Sequence, residues 1–229
     1  MPITILYYKV SPESINSAQQ SAQIADWIEE LPIIKQNQVK KLRQRKDRVL
    51  SLAGLQLIKI AMQNHPDCSF SLDQLQFSEH GRPFFSGNID FNISHSGDIV
   101  CCVVSDIAKV GIDIERRRQV HSATLNKFLP DFSSLDKDNN VEENNRHFFN
   151  IWTKNEAIIK AASYGSLFNM KDIKHDDKGA RYQNEYWSTY PIKIISTNDN
   201  NEYTCHIACS GKIEPAIASD ITATQIHNL

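Results

Sequence analysis

Residues 110–115, which read VGIDIE, constrain the fold of this chain more than any other stretch. In a β-strand successive side chains point to opposite faces, so Asp113 and Glu115 would share one face and the apolar residues the other. Two neighbouring carboxylates repel each other unless solvent or a cation lies between them. The stretch therefore predicts either half of a metal site or a solvent-facing edge strand, and Gly111 would let another backbone come close.

Size and charge narrow the classes of protein. A chain of 229 residues can form one large domain or two lobes. A net charge of -2 argues against a nucleic-acid or membrane-surface partner. The five cysteines include no Cys-x-x-Cys pair, and no 18-residue apolar run occurs, so we expect a reduced, cytoplasmic protein without a membrane span.

Two helices are predicted from apolar residues three and four positions apart. The first covers residues 35–62 and carries a run of cations in its first half, which is either a solvated face or an anion-binding face. The second begins near Arg146 and ends near Gly165, with Phe148, Trp152 and Ile159 on one side.

Strands are predicted from β-branched and aromatic runs on both sides of these helices. A turn containing His95 joins two of them, and Asn198 lies in the turn of a hairpin near the end of the chain. The predicted strands are residues 3–10, 75–77, 91–94, 99–105, 110–115, 187–197 and 203–209. Residues 123–129 are predicted to be helical and residues 136–145 to form a loop.

Glu156 and Lys160 lie four residues apart on the second helix and so share a face. Alone they would be an ordinary surface ion pair. Set against Asp113 and Glu115, however, Glu156 would complete an all-oxygen site of the kind that Mg²⁺ prefers. Lys160, one turn on, could then reach a phosphate oxygen.

A serine nucleophile is not indicated, because no Gly-x-Ser-x-Gly sequence surrounds Ser94 or Ser96. His95 between them is either a surface residue of a turn or part of the site. Together with the cations Arg82 and Lys160, the three carboxylates predict a metal-assisted pocket for a polyanion such as a nucleotide pyrophosphate.

Three motifs in order resemble one family. They are FNISHSG at residues 91–97, VGIDIE at residues 110–115 and WTKNEAIIK at residues 152–160. This succession is similar to that of the 4′-phosphopantetheinyl transferases of the longer Sfp type, and the resemblance covers about residues 35–167. Such enzymes transfer the phosphopantetheine arm of coenzyme A to a serine of an apo acyl or peptidyl carrier protein, as holo-acyl-carrier-protein synthases do, and release adenosine 3′,5′-bisphosphate.

The resemblance implies a fold, a cofactor and a set of roles. The fold would be α+β, with two similar lobes at residues 1–106 and 107–229 and the active site between them; a monomer suffices. Mg²⁺, with Mn²⁺ as an alternative, would be held by Asp113, Glu115 and Glu156. Glu156 would also accept the proton of the carrier serine, and Lys160 would steady the phosphate under attack. The implied catalytic residues are Glu156, Lys160, His95 and Asp113, and the implied coenzyme A contacts are Lys35, Ser51, Arg82, Pro83, His95, Ser96 and Lys160.

Two positions depart from the family pattern. Asn155 replaces a common lysine beside Glu156, and Leu50 replaces a common arginine on the first helix. These departures keep open a non-catalytic module that binds a carrier protein or coenzyme A. A Mg²⁺-dependent phosphodiesterase, which would position water where the transferase positions an acceptor, is the other alternative.

Overall fold

The computed structural model describes residues 3–11, 15, 18–63, 70–121, 124, 141–163, 167–194, 203–212 and 223–229. The predicted α+β class is confirmed. The helices are α1 (Ala18–Glu29), α2 (Ile33–Lys40), α3 (Arg45–Gln63) and α4 (Val141–Ala162). The strands are β1 (Thr4–Lys9), β2 (Gln76–Phe77), β3 (Pro83–Phe84), β4 (Asp90–Ser96), β5 (Ile99–Ser105), β6 (Val110–Arg116), β7 (Lys174–His175), β8 (Gly179–Tyr182), β9 (Glu185–Pro191), β10 (Tyr203–Ser210) and β11 (Ala223–Ile226).

Two sheets organise the molecule. The first has the order β11-β1-β5-β4, and the second has the order β6-β10-β9-β8-β7. The short strands β2 and β3 form a separate hairpin. The last strand, β11, pairs in parallel with β1, so residues 223–226 lie in the same sheet as the first strand.

Three apolar layers hold these sheets and helices together. One face of the first sheet packs on α3, around Leu52, Leu57 and Val100. Its other face packs on the second sheet, where Ile112 and Ile207 are fully buried. The far face of the second sheet packs on α4. The result is a helix–sheet–sheet–helix stack, and β6 places its carboxylates on the side that faces α4.

The structure corrects several predicted boundaries. The helix predicted over residues 35–62 is two helices, α2 and α3, interrupted at residues 41–44. Cations three or four positions apart, such as Lys41 and Arg45, weaken a continuous helix. The helix predicted from Arg146 begins at Val141 instead, within the predicted loop.

His95 lies in strand β4 rather than in the turn, which is formed by Gly97 and Asp98. Strands β9 and β10 pair antiparallel, which confirms the predicted hairpin. Its turn at Asn198 and the predicted terminator Gly165 lie outside the described residues, and so does the predicted helix at residues 123–129 except for Thr124, which is helical.

No helix in the described ranges has the length and apolar character needed to span a lipid bilayer.

Candidate active site

Gly111 sets the distance between α4 and β6. A Cβ atom at this position would lie 2.1 Å from the carbonyl oxygen of Ala157 and 2.5 Å from the backbone nitrogen of Ala161. Only glycine therefore allows this approach, which confirms the close backbone contact predicted from the sequence. Because Ala157 and Ala161 directly follow Glu156 and Lys160, the contact places both functional side chains next to β6.

Asp113 and Lys160 form an ion pair at this contact. The Lys160 ammonium donates to Asp113 Oδ1 at 2.6 Å, to Ser94 Oγ at 3.0 Å and to the Ile112 carbonyl at 3.4 Å. Burial lowers the pKa of Lys160, but Asp113 and Glu156 raise it above its ordinary value overall. Lys160 is thus a fixed cation between a strand and a helix.

The three acidic residues lie close enough to influence one another. Burial raises the pKa of Glu156 to about 7, against the opposing effect of Lys160 and with the support of Asp113 and Glu115. Burial likewise raises the pKa of Asp113, and Glu115 adds to that effect. Glu115 Oε2 accepts hydrogen bonds from Ser96 Oγ at 2.9 Å and from Arg118 Nη1 at 3.3 Å. The structure brings together Asp113, Glu115, Glu156 and Lys160, all of which were named from the sequence.

The donor chemistry of this cluster fits a divalent cation. Asp113 Oδ2 is a buried oxygen that has no hydrogen-bond partner among the described residues, and such an atom is costly unless a cation or water satisfies it. Within the described residues, no three His, Cys, Asp or Glu side chains are grouped closely enough to hold a metal ion as they stand. The three-carboxylate ligand set therefore stays a prediction.

Ser94 is a site residue that the sequence interpretation did not assign. Its hydroxyl donates to Asp113 Oδ1 at 2.9 Å and accepts from Lys160 and from the Ile114 backbone N–H. Ser96 repeats this arrangement one pleat further on, with Glu115 and the Arg116 N–H as its partners. The signal in the sequence was the alternation of short polar residues, Asn92, Ser94 and Ser96, along a predicted strand.

His95 lies at the same end of β4, with its side chain exposed. Desolvation by the neighbouring protein atoms on its inner side and the cation of Lys160 lower the pKa of His95, whereas Asp47 and Glu115 act in the opposite direction. The imidazole is therefore near the cluster, and its predicted contact with a pyrophosphate stays a prediction.

Arg82 occupies a different environment from the one its predicted role requires. Its guanidinium pairs with both carboxylate oxygens of Asp90 at 2.8 Å and donates to the carbonyls of Phe91 and Val110 at 3.0 Å each. It also donates to Ser163 Oγ and to carbonyls at the end of α4, and its side chain is 11% exposed. Both terminal nitrogens of Arg82 are therefore engaged within the protein, and its predicted contact with coenzyme A stays a prediction.

Lys35 and Pro83 both lie next to Phe77 of the β2–β3 hairpin. The Lys35 ammonium lies 5.8 Å from the centre of the Phe77 ring, and Phe77 pairs with Pro83. Burial lowers the pKa of Lys35. Ser51 lies half-buried on α3. Their predicted contacts with coenzyme A stay predictions.

The two departures from the family pattern are buried. Asn155 is 4% exposed, and its Oδ1 lies 2.7 Å from His175 Nε2. The Asn155 side chain therefore contacts β7. Leu50 is 2% exposed in the apolar layer under α3.

Comparison with known families gives two matches that follow each other along the chain. Residues 18–107 match the model described as "4′-phosphopantetheinyl transferase, N-terminal". Residues 109–208 match the model of the 4′-phosphopantetheinyl transferase superfamily. The second match contains the three acidic residues Asp113, Glu115 and Glu156. The first match contains Ser94, His95 and Ser96.

Individual relatives agree with the family models. The 4′-phosphopantetheinyl transferase gsp of Aneurinibacillus migulanus is 32% identical over 191 residues, which cover 80% of this chain and 77% of the relative. The 4′-phosphopantetheinyl transferase Sfp of Bacillus subtilis is 27% identical over 138 residues, 57% of this chain and 59% of the relative. The 4′-phosphopantetheinyl transferase AcpT of Salmonella typhimurium is 35% identical over 95 residues, which cover 39% of this chain and 49% of the relative.

Proposed function

Because this chain belongs to the 4′-phosphopantetheinyl transferase family, we propose that it transfers the phosphopantetheine arm of coenzyme A to a serine hydroxyl of an apo carrier protein. The serine oxygen forms a bond to the phosphorus nearer to pantetheine. The bond from that phosphorus to the bridging oxygen breaks, and adenosine 3′,5′-bisphosphate leaves. The products are the holo carrier protein and the nucleotide.

The contact between α4 and β6 is the observation that carries this proposal. It sets a fixed cation, Lys160, against the carboxylate of Asp113 at 2.6 Å, with Glu156 one helical turn away. Displacement at a pyrophosphate depends on holding the reactants in line and offsetting their charge, and rigid cations provide both. Glu156 would accept the serine proton, and Lys160 would stabilise charge on the phosphate oxygens.

Asp113, Glu115 and Glu156 would hold a divalent cation, Mg²⁺ or Mn²⁺. Bound there, it would offset the negative charge of the pyrophosphate. The buried Asp113 Oδ2 supports this assignment because the protein itself gives that oxygen no hydrogen-bond partner among the described residues. Ser94 and Ser96 would keep the first two carboxylates oriented.

The same proposal includes a cytoplasmic monomer whose partners are coenzyme A and an acyl or peptidyl carrier protein. Asn155 and Leu50 had supported a non-catalytic module. Against that alternative, the chain retains all four residues to which the family resemblance assigns the chemistry: Asp113, Glu115, Glu156 and Lys160.

Mass spectrometry of an apo carrier protein incubated with this protein, coenzyme A and Mg²⁺ tests the proposal. We expect a mass gain of one phosphopantetheine arm, and no gain in a metal-free control. Asp113→Asn should abolish the gain while keeping a group of the same size beside Lys160. Absence of any gain on both acyl and peptidyl carriers would overturn the transferase assignment, whereas nucleotide hydrolysis without a carrier would favour the phosphodiesterase.

Lys35→Ala tests the second group of predicted contacts. The family resemblance implies that Lys35 contacts the 3′-phosphate end of coenzyme A. We therefore expect weaker binding of coenzyme A and little change for dephospho-coenzyme A, which lacks that phosphate. Isothermal titration of both ligands measures the difference. Equal losses for the two ligands would remove the 3′-phosphate role.

A further inference from the structure

We infer that Arg82 is a positioning residue: it fixes the end of α4 against β4 and β6 and so sets where Glu156 and Lys160 stand relative to Asp113. This inference rests on the proposed transferase function. It assigns Arg82 a different role from the coenzyme A contact that the family resemblance implies.

The guanidinium of Arg82 joins three elements at one point. On β4 it pairs with Asp90 and with the Phe91 carbonyl, and on β6 it donates to the Val110 carbonyl. On α4 it donates to the carbonyls of Lys160 and Ala161. A planar, delocalised cation with several donors can satisfy such a set at once, whereas a lysine ammonium cannot span it.

The end of α4 needs this partner for a physical reason. The last carbonyls of a helix have no partner within the helix, and they carry the negative end of its dipole. Helices commonly end at a glycine with positive φ, but α4 is followed by Ser163 with a φ of 61°. Arg82 satisfies these carbonyls and also donates to Ser163 Oγ at 2.7 Å, so it supplies a charged cap to an unusual helix end.

The same contacts reach the site through short covalent paths. The carbonyl of Lys160 itself accepts from Arg82, and Glu156 lies one turn earlier on α4. On β6, Val110 is three residues before Asp113. Arg82 therefore ties together the two backbones whose separation determines how Lys160 meets Asp113, and a shift of about 1 Å in such a geometry can cost on the order of a hundredfold in rate.

Arg82→Lys, assayed with coenzyme A and an apo carrier, separates positioning from ligand binding. We expect kcat to fall by about 10- to 100-fold, while the Kd of coenzyme A changes by less than about twofold. Lys59→Met is the matched control, because Lys59 also pairs with a carboxylate, Glu30 at 2.8 Å, but lies on α3 outside the site. It should leave both constants unchanged. A rise in the Kd of coenzyme A with kcat preserved would overturn the inference and restore the ligand contact.

Ser163→Gly provides a second variant that keeps the Arg82–Asp90 pair and relieves the positive φ, so that folding is maintained. It removes the hydroxyl that accepts from Arg82 and donates to the Ala161 carbonyl at 3.5 Å. We expect kcat to fall less in Ser163→Gly than in Arg82→Lys. We also expect the amides in the last turn of α4 to exchange faster in Arg82→Lys than in wild type. If exchange in the last turn of α4 is unchanged in Arg82→Lys, the inference is wrong, whether or not the protein modifies a carrier. This measurement therefore separates failure of the inference from failure of the transferase proposal.

Discussion

Strand β6 has two edges, and they are joined to their neighbours by different means. On one edge, β10 pairs antiparallel with it over seven residues through the backbone. On the other edge lies β4, which pairs with β5 and meets β6 with its side chains. Four alternate side chains of β4 accept the N–H groups of alternate β6 residues: Asp90 from Val110 at 2.7 Å, Asn92 from Ile112 at 3.1 Å, Ser94 from Ile114 at 3.4 Å and Ser96 from Arg116 at 3.0 Å. We call these four residues the side-chain ladder.

The two edges of β6 differ in which residue types they require. A backbone ladder tolerates almost any residue except proline, because its donors and acceptors belong to every peptide unit. The side-chain ladder needs a short acceptor at every second position. The side-chain ladder also contacts the candidate active site, because Ser94 donates a hydrogen bond to Asp113 and Ser96 donates one to Glu115. The edge that joins the two sheets is therefore the edge that orients the acidic residues.

Among substitutions in the side-chain ladder, Asp90→Ala should lower the free energy of unfolding the most. It removes the acceptor of the Val110 N–H and leaves the largely buried Arg82 without its carboxylate. Loss of one partner of a buried ion pair costs about 3 to 5 kcal/mol in the free energy of unfolding. Urea denaturation measures this, and Asp90→Asn, which keeps an acceptor oxygen, should lose less. Equal losses would mean that the charge of Asp90 contributes nothing.

Asn92→Leu should leave the buried Ile112 N–H without an acceptor. The expected loss is about 1 to 3 kcal/mol in the free energy of unfolding. Hydrogen exchange gives the sharper measurement: the Ile112 amide should lose protection, while the Asp113 amide, which points to β10, should keep it. Ile207→Val on β10 is the control, because it alters a side chain opposite Ile112 and no hydrogen bond of either edge.

Ser94→Ala should affect activity more than stability. The Asp113–Lys160 pair remains, but Asp113 loses the hydroxyl that orients it, and removal of such a group from a metal-binding carboxylate typically costs about 10- to 100-fold in activity or metal affinity. Transfer to an apo carrier at several Mg²⁺ concentrations measures both. Ser94→Thr, which keeps the hydroxyl, should retain most activity; if it fails as badly as alanine, the hydroxyl is not the reason.

Ser96→Ala should have the smallest effect on stability, about 0.5 to 1.5 kcal/mol in the free energy of unfolding, because the Arg116 N–H lies at an exposed end of the ladder. Glu115 keeps Arg118 as a second partner. Thermal denaturation compares this variant with Asn92→Leu. A larger loss for Ser96→Ala would show that the open end of the ladder, rather than its buried middle, holds the two sheets together.

The sequence predicted the contents of the site better than its surroundings. The placement of Asp113 and Glu115 on one face of a strand, the close approach at Gly111 and the sharing of a helix face by Glu156 and Lys160 follow from local periodicity. The break between α2 and α3 was missed because an apolar stripe continues across it. The places of Arg82 and Asn155 were missed because their partners, Asp90 and His175, lie on elements whose position no local pattern reveals.

By itself, then, the sequence determined which residues share a face, because backbone geometry fixes the period of 2 in a strand and 3.6 in a helix. It also carried the three motifs of the family in order. Only the tertiary structure decided that β4 meets β6 through side chains, that Ser94 reaches Asp113 and that Arg82 caps α4. These contacts depend on how separate elements approach in space, and a side chain with several donors or acceptors takes whichever partners that approach brings within reach.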